Sequence, residues 1–180
     1  MPGMLEGLLA DYQRPMQLPM ALVVGRLMLA LFLGGLVGWE RERSARTAGL
    51  RTHMLISVAA ALFAITGLEL TAIDASAQAR VQTDPMRLIE AVTSGVAFLA
   101  AGSIVISGGH VRGITTGASM WLVGAIGLCC GIGDVKLAIL GTFLALAVLW
   151  AVRLAFERGR MSHKRTADRP EEGPPPGSGG

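Results

Sequence analysis

The chain of 180 residues is 52% hydrophobic and 16% charged, with a mean hydropathy of +0.53, which excludes an ordinary soluble domain. Apolar runs recur in blocks of about twenty residues, the helix length that crosses a hydrocarbon core. The composition therefore predicts a helical membrane protein whose first partner is the lipid bilayer. The net charge of +3 comes from basic residues at the ends of apolar blocks, which argues against a nucleic-acid-binding stripe.

The order of apolar and polar segments predicts an all-α, polytopic membrane protein with five transmembrane helices. A short amphipathic segment over residues 1–19 is expected to lie at the membrane interface. Asp84 and Pro85 predict the start of the third helix, as a side-chain cap and a first-turn proline. Residues 153–180 are basic and then rich in Pro and Gly, which is typical of a disordered tail. The transmembrane domain covers residues 20–152, with spans at 20–39, 52–70, 87–106, 117–132 and 136–152.

Charged residues outside the spans predict the orientation of the chain. A densely charged interval from Gly38 to His53 separates the first two spans, and Lys and Arg recur after residue 152. Loops rich in Lys and Arg stay on the cytoplasmic side of a membrane. The sequence therefore predicts the N-terminus outside and the C-terminus in the cytoplasm.

Two charged residues, Arg26 and Glu90, lie inside predicted spans. Each is followed at helical spacing by small residues, which predicts that both side chains point towards neighbouring helices. Both lie at a similar depth, so we hypothesise an Arg26–Glu90 ion pair. Two alternatives stay open: each charge snorkels separately to its interface, or Glu69 is the competing partner of Arg26.

Glycine spacing predicts where helices approach closely. Gly34 and Gly38 in the first span, and Gly127 and Gly131 in the fourth, form Gly-x-x-x-Gly pairs that favour tight packing over a substrate path. The glycine-rich segment 108–117 is interpreted as a tight turn with capping threonines, and a backbone nest for an anion is the alternative.

The sequence offers no constellation that carries catalytic or metal chemistry. His53 and His110 fall at the same predicted side of the membrane and could approach each other, but a third ligand is missing. Cys129 and Cys130 are interpreted as small packing residues. No nucleophile with a positioned base is evident, so we predict neither an enzyme, a cofactor nor a metal site.

Two adjoining segments carry a resemblance to a known family. Gly38-Trp-Glu-Arg-Glu-Arg, followed by Ala48-Gly-Leu-Arg-Thr-His53, resembles the signature of the MgtC/SapB membrane proteins. Val111-Arg-Gly-Ile-Thr-Thr116 before the fourth span agrees as well. The chain departs from the family pattern at Phe98-Leu-Ala-Ala-Gly102, where Phe-Leu-Gly-Ala-Gly is usual, and at Ala91, where glutamine is usual. These departures indicate a divergent branch.

The resemblance implies a multi-pass protein of the bacterial inner membrane, linked to growth in low magnesium and to survival inside hosts. It also implies a regulatory or accessory role towards other membrane machinery, including the ATP synthase. The chain corresponds to the membrane portion of long members, and further copies of itself are a second expected partner. A divalent-cation transporter or channel component is the alternative. Functional candidates on the cytoplasmic loops are Glu40, Arg41, Arg51, His53 and Arg112.

Overall fold

The computed structural model describes residues 2–12, 16–44, 47–76 and 84–167. These residues are mostly helical, which confirms the predicted helical class, but one short antiparallel hairpin is present and "all-α" is wrong to that extent. The elements in chain order are α1 (Pro2–Tyr12), α2 (Met20–Arg43), α3 (Leu50–Ser76), α4 (Pro85–Gly102), β1 (Val105–Ser107), β2 (His110–Arg112), α5 (Ile114–Ile132) and α6 (Val135–Ala167).

Three segments in the described part of the chain are long and apolar enough to cross a membrane. They are Met20–Arg43 in α2, Leu50–Thr71 in α3 and Ile114–Ile132 in α5. The apolar part of α6, Val135–Ala151, is shorter, and α4 does not meet the same length and hydropathy requirements. Three of the five predicted spans thus have the expected character.

Helices α2 and α5 both pack against α3, and they also contact each other. At Gly34 of α2, an added Cβ atom would lie 2.6 Å from the Cβ of Ser57 on α3. At Gly127 of α5, it would overlap the backbone oxygen of the same Ser57. At Gly38 and Gly131, too, α3 leaves no space for an added Cβ atom. The close packing predicted from both glycine pairs is confirmed. The three helices form the core of the molecule.

Helix α4 packs on α5 and α3 through one face. Val92 and Val96 are buried there, and Gly124 of α5 allows the close approach because a Cβ atom would lie 3.1 Å from Val96. The side chain of Asp84 accepts a hydrogen bond of 2.9 Å from the Met86 N–H, with Pro85 in the first turn. The predicted start of this helix is confirmed.

Helix α6 is longer than predicted. Ala138, Thr142 and Ala145 are buried, and Gly141 faces Ile126 of α5. A second unit begins at Ala147, and the structure describes it as the continuation of α6 to Ala167. Residues 153–167 are helical, so the predicted disordered tail does not begin at residue 153. No proline, which would interrupt a helix, occurs between residue 152 and Pro170. The rest of the predicted tail, 168–180, lies outside the described residues.

The two other differences are at helix ends. The interval Gly38–His53 is not a long loop, since α2 continues to Arg43 and α3 begins at Leu50. The third predicted span ends at Gly102, and residues 103–106 form a turn and β1. Their apolar residues pair in a hairpin, Ile106 opposite Val111, and Gly108 and Gly109 supply the positive φ angles of its two-residue turn.

Candidate functional site

Arg41 is an internal residue of the helix core. It lies in the last turn of α2, and only 4% of its surface is exposed. Its Nη2 atom donates a hydrogen bond of 3.3 Å to Oγ1 of Thr116 in the first turn of α5. This contact corrects two predictions at once. Arg41 is not on an exposed loop, and the hydroxyl of Thr116 faces Arg41 instead of capping α5, whose N-cap is Gly113.

His53 is fully buried in the first turn of α3. Its Nδ1 lies 2.8 Å from the Gly49 carbonyl oxygen, and its Nε2 lies 3.0 Å from Oγ of Ser119 on α5. A carbonyl oxygen only accepts, so Nδ1 carries a proton; in the neutral ring with that proton, Nε2 accepts from the Ser119 hydroxyl. That hydroxyl also lies 2.8 Å from the Thr116 carbonyl oxygen, so two acceptors share its one proton.

Arg41, His53, Thr116 and Ser119 form what we call the buried polar cluster. It joins the end of α2 and the start of α3 to the start of α5. Ser57 lies one turn further along α3, and its buried Oγ has no hydrogen-bond partner among the described residues. The three hydroxyl residues were missed as site residues. Thr116 and Ser119 are spaced by three, as are residues on one helix face, and this spacing could have indicated them.

The two glutamates of the charged interval have local structural contacts. The Leu50 N–H donates a hydrogen bond of 3.0 Å to Oε2 of Glu42, and Gly49 leaves the space that this carboxylate fills. A carboxylate at the start of α3 complements the positive end of the helix dipole. Glu40 is half-buried and lies 3.4 Å from Oγ of Ser44. Glu42 was not among the predicted candidates.

The remaining candidates, Arg51 and Arg112, are exposed. Together with the exposed Arg43 and His110 they form a surface that we call the charged rim. The buried polar cluster holds the ends of α2, α3 and α5 together, so these side chains lie at one end of the core. His53 is buried and His110 is exposed on the hairpin, so the two histidines share no site. In the described residues, no group of three or more His, Cys, Asp or Glu could hold a metal ion.

Arg26 and Glu90 do not form the hypothesised ion pair. Nη1 of Arg26 donates a hydrogen bond of 2.7 Å to the Gly131 carbonyl oxygen, and its guanidinium lies against Gly133, whose φ of 92° ends α5. A cation at this end complements the helix dipole, so the inward direction of Arg26 is confirmed. Glu90 is exposed, because α4 packs on α5 and α3 with its opposite face. Its predicted inward direction is wrong.

Glu69, the competing partner proposed for Arg26, has a different role. Its carboxylate accepts hydrogen bonds of 2.9 Å from the Gln17 N–H and 3.0 Å from the Leu18 N–H. These two residues lie just before Pro19, the N-cap of α2. Glu69 therefore fixes the entry of the chain into α2 at the end of the core opposite the charged rim.

Comparisons with known proteins agree with the resemblance at the charged interval. Residues 27–158 match the model of the MgtC family. The chain is 40% identical over 124 residues to the Escherichia coli (strain K12) protein named "Putative magnesium transporter YhiD", covering 69% of this chain and 57% of that protein. It is 35% identical over 132 residues to Protein MgtC of Salmonella typhimurium, covering 73% of this chain and 53% of that protein.

A third relative is Protein MgtC of Brucella abortus, 38% identical over 130 residues, covering 72% of this chain and 51% of that protein. The chain thus spans little more than half the length of the curated relatives it matches. No solved structure matches the chain. Because the family model covers most of the described core and the relatives agree across it, the chain belongs to the MgtC family.

Proposed function

We propose that this MgtC-family protein is a regulatory or accessory factor of the bacterial inner membrane that supports adaptation to low magnesium. In this proposal α2 to α6 are five membrane spans, the N-terminus is outside, and the charged rim faces the cytoplasm. The rim contacts a partner membrane complex. Membership of the family and the names of the relatives support a magnesium-related role.

The composition of the buried polar residues carries the proposal. In the described part of the chain they are Arg41, His53, Ser57, Thr116, Ser119 and Thr142, and none is a carboxylate. A dehydrated Mg²⁺ path needs oxygen ligands, commonly carboxylates. Here the hydroxyl of Thr116 lies 3.3 Å from the Arg41 guanidinium, a permanent cation, and the hydroxyl of Ser119 lies against His53 and the Thr116 carbonyl oxygen, so neither is arranged around a dication. The cluster is suited to joining helices, which leaves the exposed rim for function.

The hairpin beside the rim supports a contact with a partner. Ile106 is 75% exposed and Val111, opposite it, is 51% exposed, and Arg112 follows directly. A two-stranded hairpin is marginally stable on its own in water, and an exposed apolar pair next to a cation is typical of an interaction surface. We expect this hairpin to pack against the partner or the lipid headgroups.

Rim variants test the proposal. Arg51→Ala and Arg112→Ala, combined in the full chain, are expected to leave the amount of protein in the membrane unchanged and to abolish rescue of growth in low magnesium. The matched control is Lys136→Ala, which removes an exposed basic residue in the first turn of α6, at the other end of the core. Full rescue by the rim double variant at normal protein levels would contradict the proposal.

Transport of a divalent cation is the second candidate, favoured by the name of the relative YhiD. Carboxylates at the outer end include Glu69, Asp84, Glu90 and Asp134, and none of these four is buried. Glu69 already accepts two backbone hydrogen bonds. A transport site would therefore need Glu90 from several copies of the chain to share one path.

A further inference from the structure

One exposed face of α4 is polar and small. It carries Arg87, Glu90, Ser94, Ala97 and Ala101, all of them exposed. Other exposed positions carry large apolar side chains, as expected of surfaces that contact lipid, and include Phe98 on α4 itself and Met28, Phe32, Phe63 and Phe143 on other helices. The α4 face therefore lacks the chemistry of a lipid-facing surface.

The spacing on this face is that of a helix-packing seam. The five residues follow one another at steps of three, four, three and four, the heptad pattern that keeps one side of a helix against a partner. Val92 and Val96, which pack within the chain, are on the opposite side of α4. The seam is thus unused by the rest of the described structure.

We propose that the α4 seam is the interface of a homodimer in the membrane, with a second copy of this chain as its occupant. Two copies with the same orientation are related by a two-fold axis along the membrane normal, so their α4 helices run parallel. Ser94, Ala97 and Ala101 are small enough for the two backbones to approach closely.

The charged residues of one α4 seam are complementary to those of a second copy. Arg87 and Glu90 are three residues apart on one side of α4, so two-fold symmetry brings Arg87 close to Glu90 of the partner subunit, and the reverse. Two reciprocal ion pairs then neutralise all four charges. In a single copy, Glu90, one turn further into α4, would face lipid, where an ionised side chain is costly.

The inference rests on the part of the proposed function that makes α4 a membrane span, and it is independent of whether the protein regulates or transports. A cysteine on the seam tests it in membranes containing the full chain. Cys129→Ala and Cys130→Ala first remove the two free thiols of the described residues. Ala97→Cys is then compared with Phe143→Cys, a residue 66% exposed on α6.

Oxidation is expected to give at least several-fold more disulfide-linked dimer with Ala97→Cys than with Phe143→Cys. Equal amounts of dimer would overturn the proposal. Glu90→Arg, added to the Ala97→Cys chain, is expected to reduce the dimer several-fold, and adding Arg87→Glu as well is expected to restore it. Undiminished dimer in the single variant, or no recovery in the charge-swapped variant at normal membrane levels, would also overturn it.

Labelling separates failure of the dimer from failure of the span. A membrane-impermeant maleimide is applied to broken membranes, so that it reaches both faces of the bilayer. It is expected to label Ala97→Cys only after detergent is added. Labelling without detergent would show that α4 is not a span, which overturns that part of the proposed function and the dimer with it. A protected but uncross-linked thiol would overturn the dimer alone.

Discussion

Among single residues, burial divides the charged interval into two groups with different roles. Arg41 and His53 are enclosed by α2, α3 and α5 and hydrogen-bond across them, whereas Arg51 is exposed two residues from His53. The charged interval therefore contains buried residues that hold helices together and exposed residues that are available for contact with a partner. Substitutions of the buried residues should therefore lower the stability, whereas substitutions of the exposed residues should affect the rescue of growth in low magnesium.

His53→Ala tests the structural group. It removes two buried hydrogen bonds and leaves a cavity, so we expect the stability to fall by about 3 kcal/mol. The apparent midpoint of thermal unfolding in detergent should be several degrees lower than that of the parent protein. Arg51→Ala, on the same helix but exposed, should change the stability by less than about 0.5 kcal/mol. Equal midpoints for the two variants would show that the buried polar cluster does not hold the core.

Among elements, the closest contacts are made by glycines, and these were predictable. Gly34 and Gly127 were recognised from spacing, and Asp84 from capping, because both signals are local in sequence. The hairpin was not predictable, since Val105 and Ile106 are as apolar as a membrane span. The direction of Glu90 was predicted wrongly because a stripe of small residues indicates a packing face without saying which helix packs there.

Gly127→Ala tests the contact between α5 and α3. Its Cβ atom would overlap the backbone oxygen of Ser57, which forces the helices apart at a cost of about 1–3 kcal/mol. Gly95→Ala is the matched control, because nothing lies within 4 Å of its added Cβ atom and alanine favours a helix. Thermal midpoints should fall for the first variant and stay level or rise for the second. The opposite order would contradict the packing described for the core.

For the whole molecule, the distribution of charge bears on the two candidate functions. The described core encloses one arginine, one histidine and hydroxyls but no carboxylate, while the charged rim and the hairpin are exposed at one end. Such an arrangement favours a protein that acts by contact over one that conducts a dication. The chain covers only part of its relatives' length, and the contact proposed here belongs to the portion that they share with it.

Magnesium uptake into sealed vesicles that contain the purified full chain tests this account most directly. We predict that a magnesium indicator inside the vesicles reports the same influx as in protein-free vesicles, because no carboxylate is buried among the residues that the structure describes. Glu90→Ala should then make no difference. Saturable uptake that depends on the protein and is abolished by Glu90→Ala would contradict the account and establish transport.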